Sequence, residues 1–446
     1  MGARSLKKEN TMQPTPVPGR RIIHIIGGGT VSHVRNHLAL SAPAYGSTAR
    51  RLAELTGVFW TSVDVDLHLT KMADPTSSLE TIDDLRGLAE DIVADYRSKV
   101  VIWNPAIVDF EGGVEEGDPT DDATDLVEPK YRTRLKSSRW YKLNLRPAPK
   151  LVTMFRRDSV NGREPRKDIF LVAFKTTCGA TEQEMYSAGL NLVKQASANL
   201  VLVNDTVTRL NMVVTPEEAS YHLTHDRDEA LRGLMEMTYL RSQLTFTRST
   251  VVAGEPVPWQ SELIPDSLRT VVNYCIEHGA YKPFLGVTAG HFATKIGPQT
   301  FLTSRRKTNF NHLDVVGLVQ VETDGPDSVV ARGSRPSVGG QSQRIVFEEH
   351  PEHDCIVHFH CPIRPGSAVP VVSQREYECG SHECGANTSQ GLQDFDGLAA
   401  VYLDQHGPNL VFNHDADPQT VIDFIEANFD LTAKTGGYVP SDPVAV

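Results

Sequence analysis

The sequence predicts an α/β protein in two parts: an amino-terminal doubly wound, Rossmann-like sheet, then a mixed sheet with helices alongside it. Three observations lead there. Between Arg21 and Arg241, apolar strand-like runs alternate with amphipathic helical ones. From Gly286 the alternation stops, and strand-like pieces follow one another. Within that second part, Cys355-Ile356-Val357-His358-Phe359-His360 places two histidines two residues apart in an apolar run. In a strand, positions i and i+2 share a face, so both imidazoles can meet one metal ion while Val357 and Phe359 face the other way.

The chain has 446 residues, more than one ordinary core accommodates. The expected partition is a flexible leader over 1–20, a first domain over 21–243, a proline-containing linker over 244–265, a second domain over 266–435 and a tail over 436–446. Hydrophobic residues make up 40% and charged residues 22%, as in globular proteins. A formal charge of −12 argues against a nucleic-acid partner, although a local anion pocket remains compatible with it. No run approaches the roughly 18 apolar residues of a membrane span, and Met1 to Arg20 lacks the apolar stretch of a signal peptide. The six cysteines are too sparse for a disulfide framework. The expectation is a reduced, cytoplasmic protein with small-molecule ligands and no membrane partner.

Arg21 to Ile26 reads as a buried strand, followed at once by Gly27-Gly28-Gly29-Thr30, with a helix starting near Gly46-Ser47. Strand, glycine-rich turn and helix is how open α/β sheets approach a phosphate, and a plain tight turn fits equally. Val63 to Leu69, Lys99 to Trp103, Asp168 to Phe174 and Asn199 to Val203 read as further strands. Ser78 to Tyr96 and Glu182 to Ala198 read as helices, and Glu111 to Glu128 as an acidic solvated loop. Gly27 to Thr30, Asp109, Lys175 and Asn204 fall at strand carboxyl ends, where ligands of such sheets bind.

Residues 20–243 resemble the phosphopantothenoylcysteine synthetase family. The resemblance rests on Gly28-Gly29-Thr30, Asn104 to Phe110, Leu143-Asn144-Leu145 up to Pro149-Lys150, Val172-Ala173-Phe174-Lys175-Thr176 and Leu202-Val203-Asn204-Asp205, in that order. It implies a ligase that activates a carboxylate with ATP or CTP and Mg2+ before an amine displaces the nucleotide. Gly28, Gly29 and Thr30 would then form the phosphate turn, and Asp109, Phe174, Lys175 and Asn204 part of the nucleotide pocket. The catalytic asparagine would be Asn36. The lysine before Leu143 would be Lys136, or Arg134 in another register. Ser41 to Gly46 replaces the family's Ser-Ser-Gly-Lys-Met-Gly-like turn.

Thr224 to Arg241 reads as the helix that closes the first domain, and Asp266 to His278 as the next. Strand-like pieces follow at Gly286 to Ile296, Gln299 to Thr303 and Val315 to Val321, then a helix over Gln341 to His350 and a strand over Asp354 to His360. Leu403-Asp404-Gln405-His406-Gly407 offers a third histidine, and three neutral imidazoles with an open position suit catalytic zinc.

Residues 263–435 resemble the class II aldolase and adducin family. The blocks are Gly286 to Ala293, Phe301-Leu302-Thr303-Ser304, Arg335-Pro336-Ser337, Val357-His358-Phe359-His360 and Leu403 to Gly407. The resemblance implies Zn2+, or another divalent metal, on His358, His360 and His406. It places Ser337 with Arg305 and Arg306 at an anionic group of the substrate. Gly339 stands where the family's proton-transferring glutamate would be, and His291 where it has asparagine. Ordinary retro-aldol cleavage should therefore be weak or absent. Glu376, Tyr377, Glu378 and Glu383 lie after the metal strand, and Glu383 is taken as the substitute acid or base. Cys379, His382, Cys384 and Cys361 form a minor alternative zinc set. The resulting expectation is a two-domain, homo-oligomeric enzyme, ligase-like in its first half and a zinc-dependent aldolase or dehydratase in its second. The alternative is a non-catalytic assembly protein that retains the nucleotide or zinc sites.

Overall fold

The computed structural model describes residues 20–114 and 141–435. The described residues divide into two compact units, one within 1–53 and 60–169 and the other within 54–59 and 170–446. Both are α/β.

In the first unit, β1 (Ile22–Gly29) is followed by a hairpin, β2 (Val31–Arg35) and β3 (Leu38–Ser41), then α1 (Ser47–Phe59), of which residues 54–59 count with the second unit, β4 (Asp64–Leu69), α2 (Ile82–Ala94) and β5 (Ser98–Ala106). A second hairpin pairs β6 (Phe110–Val114) with β7 (Leu143–Pro147). Strand β1 lies between β4 and β5 and is parallel to both. Every residue of β1 is buried, which explains its unbroken apolar run. Helix α2 starts at a capping box, in which Thr81 and Asp84 satisfy each other's backbone amides.

The structure corrects the reading of Gly27 to Thr30 as a turn leading to a helix. Gly27, Gly28 and Gly29 end β1, and a hairpin intervenes before α1. Gly28 has φ +104°, and a Cβ there would lie 2.2 Å from Thr70 Oγ1. Only glycine lets residues 70–73 approach so closely. Much of Val31 to Tyr45, to which the pattern assigns no element, is thus strand. The stretch Glu111 to Val114 is strand too, not loop.

The second unit opens with β8 (Phe170–Thr177), α3 (Glu182–Ala196), β9 (Leu200–Asp205), β10 (Asn211–Val214), β11 (Ser220–Thr224) and α4 (Arg227–Arg241). Strands β8 and β9 are parallel, while β10 and β11 continue antiparallel. Residues expected to form a linker contribute β12 (Arg248–Val252), which pairs with a strand of the following sheet.

That sheet is mixed. After α5 (Asp266–Glu277) and the short hairpin β13 (Pro283–Phe284) and β14 (Val287–Thr288) come β15 (His291–Gly297) and β16 (Thr300–Thr303). A one-turn α6 (Leu313–Val316) precedes β17 (Val319–Thr323) and β18 (Ser328–Arg332), so the strand expected from Val315 begins later. Then follow α7 (Val338–Glu349), β19 (Cys355–His358), β20 (Val371–Val372), α8 (His382–Gly391), β21 (Gln393–Phe395), β22 (Leu398–Leu403), β23 (Gly407–Phe412) and α9 (Pro418–Asn428). The strand order is β12-β18-β17-β16-β15-β19-β23-β22-β20, with β21 on β22.

The two faces of this sheet bury different cores. Val357 and Phe359 pack with Leu268 and Val272 of α5 and Val421 and Ile425 of α9. Ile356 and Val411 pack with Val346 and Phe347 of α7. Period-2 alternation therefore turns His358 away from the α5 and α9 side. Among the described residues no helix is long and apolar enough to cross a membrane.

Candidate metal centre and anion loop

His358 ends β19, and His360 lies two residues beyond it, outside the strand that was expected to include it. His406 precedes β23 in the tight connection from β22. Gly407 makes the approach possible: its φ is +146°, and a Cβ there would fall 2.1 Å from the Phe359 carbonyl oxygen. The three rings converge, with centroids 4.6 to 5.0 Å apart. Each is buried, and their candidate ligand atoms lie within 4.8 Å of one another.

The donor set fits a metal ion. His358 Nδ1 donates to the Pro408 carbonyl at 2.7 Å, which leaves Nε2 with its lone pair. That Nε2 stands 3.2 Å from His406 Nε2. Two nitrogens on one tetrahedral zinc are separated by about 3.3 Å, given Zn–N bonds near 2.0–2.1 Å. His360 Nδ1 is buried and finds no hydrogen-bond partner among the described residues. Buried ring nitrogens left without partners are costly unless something else occupies them.

A fourth histidine stands against this set. His291 on β15 is the register partner of His358, and their rings are 4.7 Å apart. The Gln343 amide contacts His291 Nδ1, and its oxygen accepts from Thr303 Oγ1 at 2.9 Å. Cys379 and Cys384 line the same small cavity as His291, Gln343, His358 and His406. The resemblance singled out His291; Gln343 carried no signal, because nothing local marks a glutamine on the buried side of a helix.

Burial lowers His358 to about 4, outweighing the Pro408 carbonyl, which favours the protonated ring. Burial first, then neighbouring rings, pushes His291, His360 and His406 well below the ordinary histidine range. The folded-state value is depressed, so a neutral His358 stabilises the metal-free fold fully above pH 6.5, and this is lost as the pH falls toward 4. One such group is worth on the order of 3 kcal/mol. Denaturant midpoints of chelator-treated protein should fall steeply across that window, and His358→Asn should flatten the slope.

The expected carboxylate base is not at this cavity. Glu383 accepts hydrogen bonds from Thr245 N at 3.1 Å and Thr245 Oγ1 at 3.0 Å. Glu378 accepts from Asn199 at 2.8 Å, and Glu376 is held by Ser373 and Arg375. The minor zinc set also fails. His382 is bound to Thr247 and faces Asp327, while Cys361 is buried in the core beside the Ala280 carbonyl.

The segments that carry Arg305, Arg306 and Ser337 do meet. Arg305 and Pro336 form a β-bridge, Ser337 N donates to Ser304 O, and Arg306 N donates to Arg335 O. Arg305 is committed to Ser334 Oγ and the Val316 carbonyl. Burial and the adjacent Arg335 guanidinium lower Arg306. Arg335 therefore stands close enough to Arg306 for the two guanidinium charges to repel each other.

The nucleotide residues occur in both compact units. Asn36 sits exposed at the β2–β3 hairpin tip, and Asp109 is paired with Lys150 on the surface. Lys136 lies outside the described residues. The Gly29 and Thr30 amides donate to the Ala44 and Ala106 carbonyls. In the second unit Lys175 and Asn204 lie near the ends of β8 and β9, and Phe174 lies under the Arg227 guanidinium, 6.0 Å from its ring centroid. Sequence reasoning stopped at Asn204, but Asp205 organises this end. Its carboxylate accepts from Thr177 Oγ1 and the amides of Gly179, Ala180, Val207 and Thr208. Desolvation raises its pKa, and these bonds more than reverse that, holding it below the usual carboxylate range.

No protein-family model matches the chain. Over 196 residues it is 24% identical to the coenzyme A biosynthesis bifunctional protein CoaBC of Thermococcus kodakarensis, covering 43% of this chain and 43% of that protein. The chain thus spans under half the length of that relative. Among solved structures it is similar to a DNA/pantothenate metabolism flavoprotein from Streptococcus pneumoniae (19% identity, TM-score 0.39, 49% of this chain and 97% of the other). It is also similar to l-fuculose-1-phosphate aldolase from Thermus thermophilus (19% identity, TM-score 0.27, 36% of this chain and 88% of the other). The amino-terminal half is therefore similar to phosphopantothenoylcysteine-synthetase-like proteins, and the carboxyl-terminal half has class II aldolase-like structural neighbours.

Proposed function

We propose that the chain is a two-domain metabolic enzyme whose carboxyl-terminal half is a zinc-dependent lyase for a small, anionic, oxygenated substrate. The reading rests above all on the convergence of the buried rings of His358, His360 and His406. Bound there, the metal would polarise carbonyl and hydroxyl oxygens of the substrate. Arg306, Arg335 and Ser337 would hold its anionic group. His291 would act as a proton donor, since the Gln343 amide holds its Nδ1 as an acceptor and leaves the proton on Nε2. The Asn199 and Thr245 contacts of Glu378 and Glu383 support giving this role to the histidine.

In this proposal the amino-terminal half binds ATP or CTP with Mg2+, as its similarity to a coenzyme A biosynthesis protein suggests. A phosphate would have to displace Ala44 and Ala106 from the Gly29 and Thr30 amides, so the glycine stretch does not fit one as it stands. This half is accordingly given binding and no transfer step.

The test is solvent deuterium exchange next to the carbonyl in a panel of phosphorylated and carboxylated hydroxyketones. Zinc-loaded protein should exchange at least one, and chelation should abolish it. His291→Ala should slow exchange by about 100-fold or more while zinc content is unchanged. Exchange that survives His291→Ala at the wild-type rate refutes the histidine's role. A zinc-loaded protein inert toward the whole panel refutes the lyase reading.

A further inference from the structure

A second cluster of ligand-type side chains lies in the first compact unit, and the proposed lyase makes no use of it. His24 on β1 is the register partner of Asp66 on β4, and Ile26 is the partner of His68. Asp66 and His68 are two residues apart and share a face of β4. His24 Nδ1 is 3.1 Å from His68 Nε2 and 3.8 Å from Asp66 Oδ2. On the far side of the ring, His24 Nε2 is 2.9 Å from Ser98 Oγ. His24 is buried, whereas Asp66 has a side chain 48% exposed.

A hydrogen bond between the two histidines accounts for the 3.1 Å contact and not for the carboxylate. At 3.8 Å, Asp66 is beyond hydrogen-bond reach of the His24 nitrogen, yet it converges on the same point. The separations of 3.1 and 3.8 Å bracket the value of about 3.3 Å between donors on a tetrahedral zinc. Ser98 Oγ can accept from Nε2, the tautomer that leaves the His24 lone pair on Nδ1 and holds the ring from behind. That is the outer support that metal-binding histidines ordinarily have. Two imidazoles and one carboxylate suit zinc and similar divalent transition metals, and not Mg2+ or Ca2+.

We propose that His24, His68 and Asp66 form a second divalent transition-metal site, with Ser98 as the positioning residue and water completing the shell. The metal would tie the edge strand β4 to β1. The site does not depend on the proposed lyase activity or on the His358 cluster.

The experiment is equilibrium dialysis of the full chain against low-micromolar Zn2+ with elemental analysis. The background is His358→Ala with His406→Ala, which removes the other cluster. This protein should retain one zinc, excess Mg2+ should not displace it, and zinc should raise its thermal midpoint. Adding His68→Ala, or separately Asp66→Asn, should weaken that binding by more than the roughly 10–100-fold typical of losing only an outer partner. Both residues are at least partly solvent-exposed, so folding should survive, which circular dichroism verifies. Absence of zinc from the background protein overturns the proposal, as does zinc binding of equal strength in folded His68→Ala protein.

Discussion

His406→Ala should cost the carboxyl-terminal half its metal. Removing one of three ligands should weaken zinc binding by more than the roughly 10–100-fold typical of losing only an outer partner. Elemental analysis should therefore show one equivalent fewer than in wild type, and His358→Ala should match it. At a free zinc concentration about 100 times the dissociation constant, binding stabilises the folded state by about 2.7 kcal/mol. The triad's share of any zinc-induced rise in thermal midpoint should vanish in both variants. Unchanged zinc content in His406→Ala would refute the assignment. Turnover separates the enzyme from the alternative of an assembly protein. If zinc loss altered particle size in light scattering while wild type turned over none of the panel, the zinc would be serving subunit contacts.

The candidate triad was legible in the sequence because the spacing of His358 and His360 is written locally. A two-residue spacing on an apolar strand puts His358 on one face, and Val357 and Phe359 pack on the other as alternation demands. The strand stops at His358, however, and Gly407 rather than strand periodicity brings Phe359-His360 up to His406. The carboxylates misled for a physical reason. A glutamate near a metal motif in sequence points wherever backbone donors draw it, and Glu383 is drawn to Thr245. The first hairpin was missed because Val31 to Ser41 lacks clean alternation, and most of its residues are exposed or half-buried. The glycines at the end of β1 were read equally as a phosphate turn or a plain tight turn, and the close approach of Ala42, Ala49 and Thr70 calls for glycine there in either case. Long-range partners such as Gln343 for His291 leave no local trace.

Arg241→Ala should strongly destabilise the second unit. Arg241 and Glu217 both have fully buried side chains, paired at 2.7 Å. The same guanidinium donates to the carbonyls of Arg375 and Gln374, at 2.9 and 3.2 Å, and lies over the Tyr221 ring. Truncation leaves a buried carboxylate and two carbonyls without their partner. Breaking a buried pair in this way costs about 3–5 kcal/mol. In a unit of this size that corresponds to a fall of roughly 10 °C in thermal midpoint. Arg241→Met combined with Glu217→Leu should recover much of the loss, since no charge is then stranded. A midpoint within about 2 °C of wild type for Arg241→Ala would show that water reaches the pair. The consequence reaches the metal cavity. Gln374 also bonds Cys384 Sγ at 3.5 Å and the Tyr377 carbonyl at 2.9 Å, so Arg241 anchors the segment that delivers Cys379 to the cavity wall. At temperatures where Arg241→Ala remains folded, zinc content should be preserved, because His358, His360 and His406 all lie on other segments. Substrate binding should weaken instead, which places the ion pair in support of the cavity wall and not of the metal.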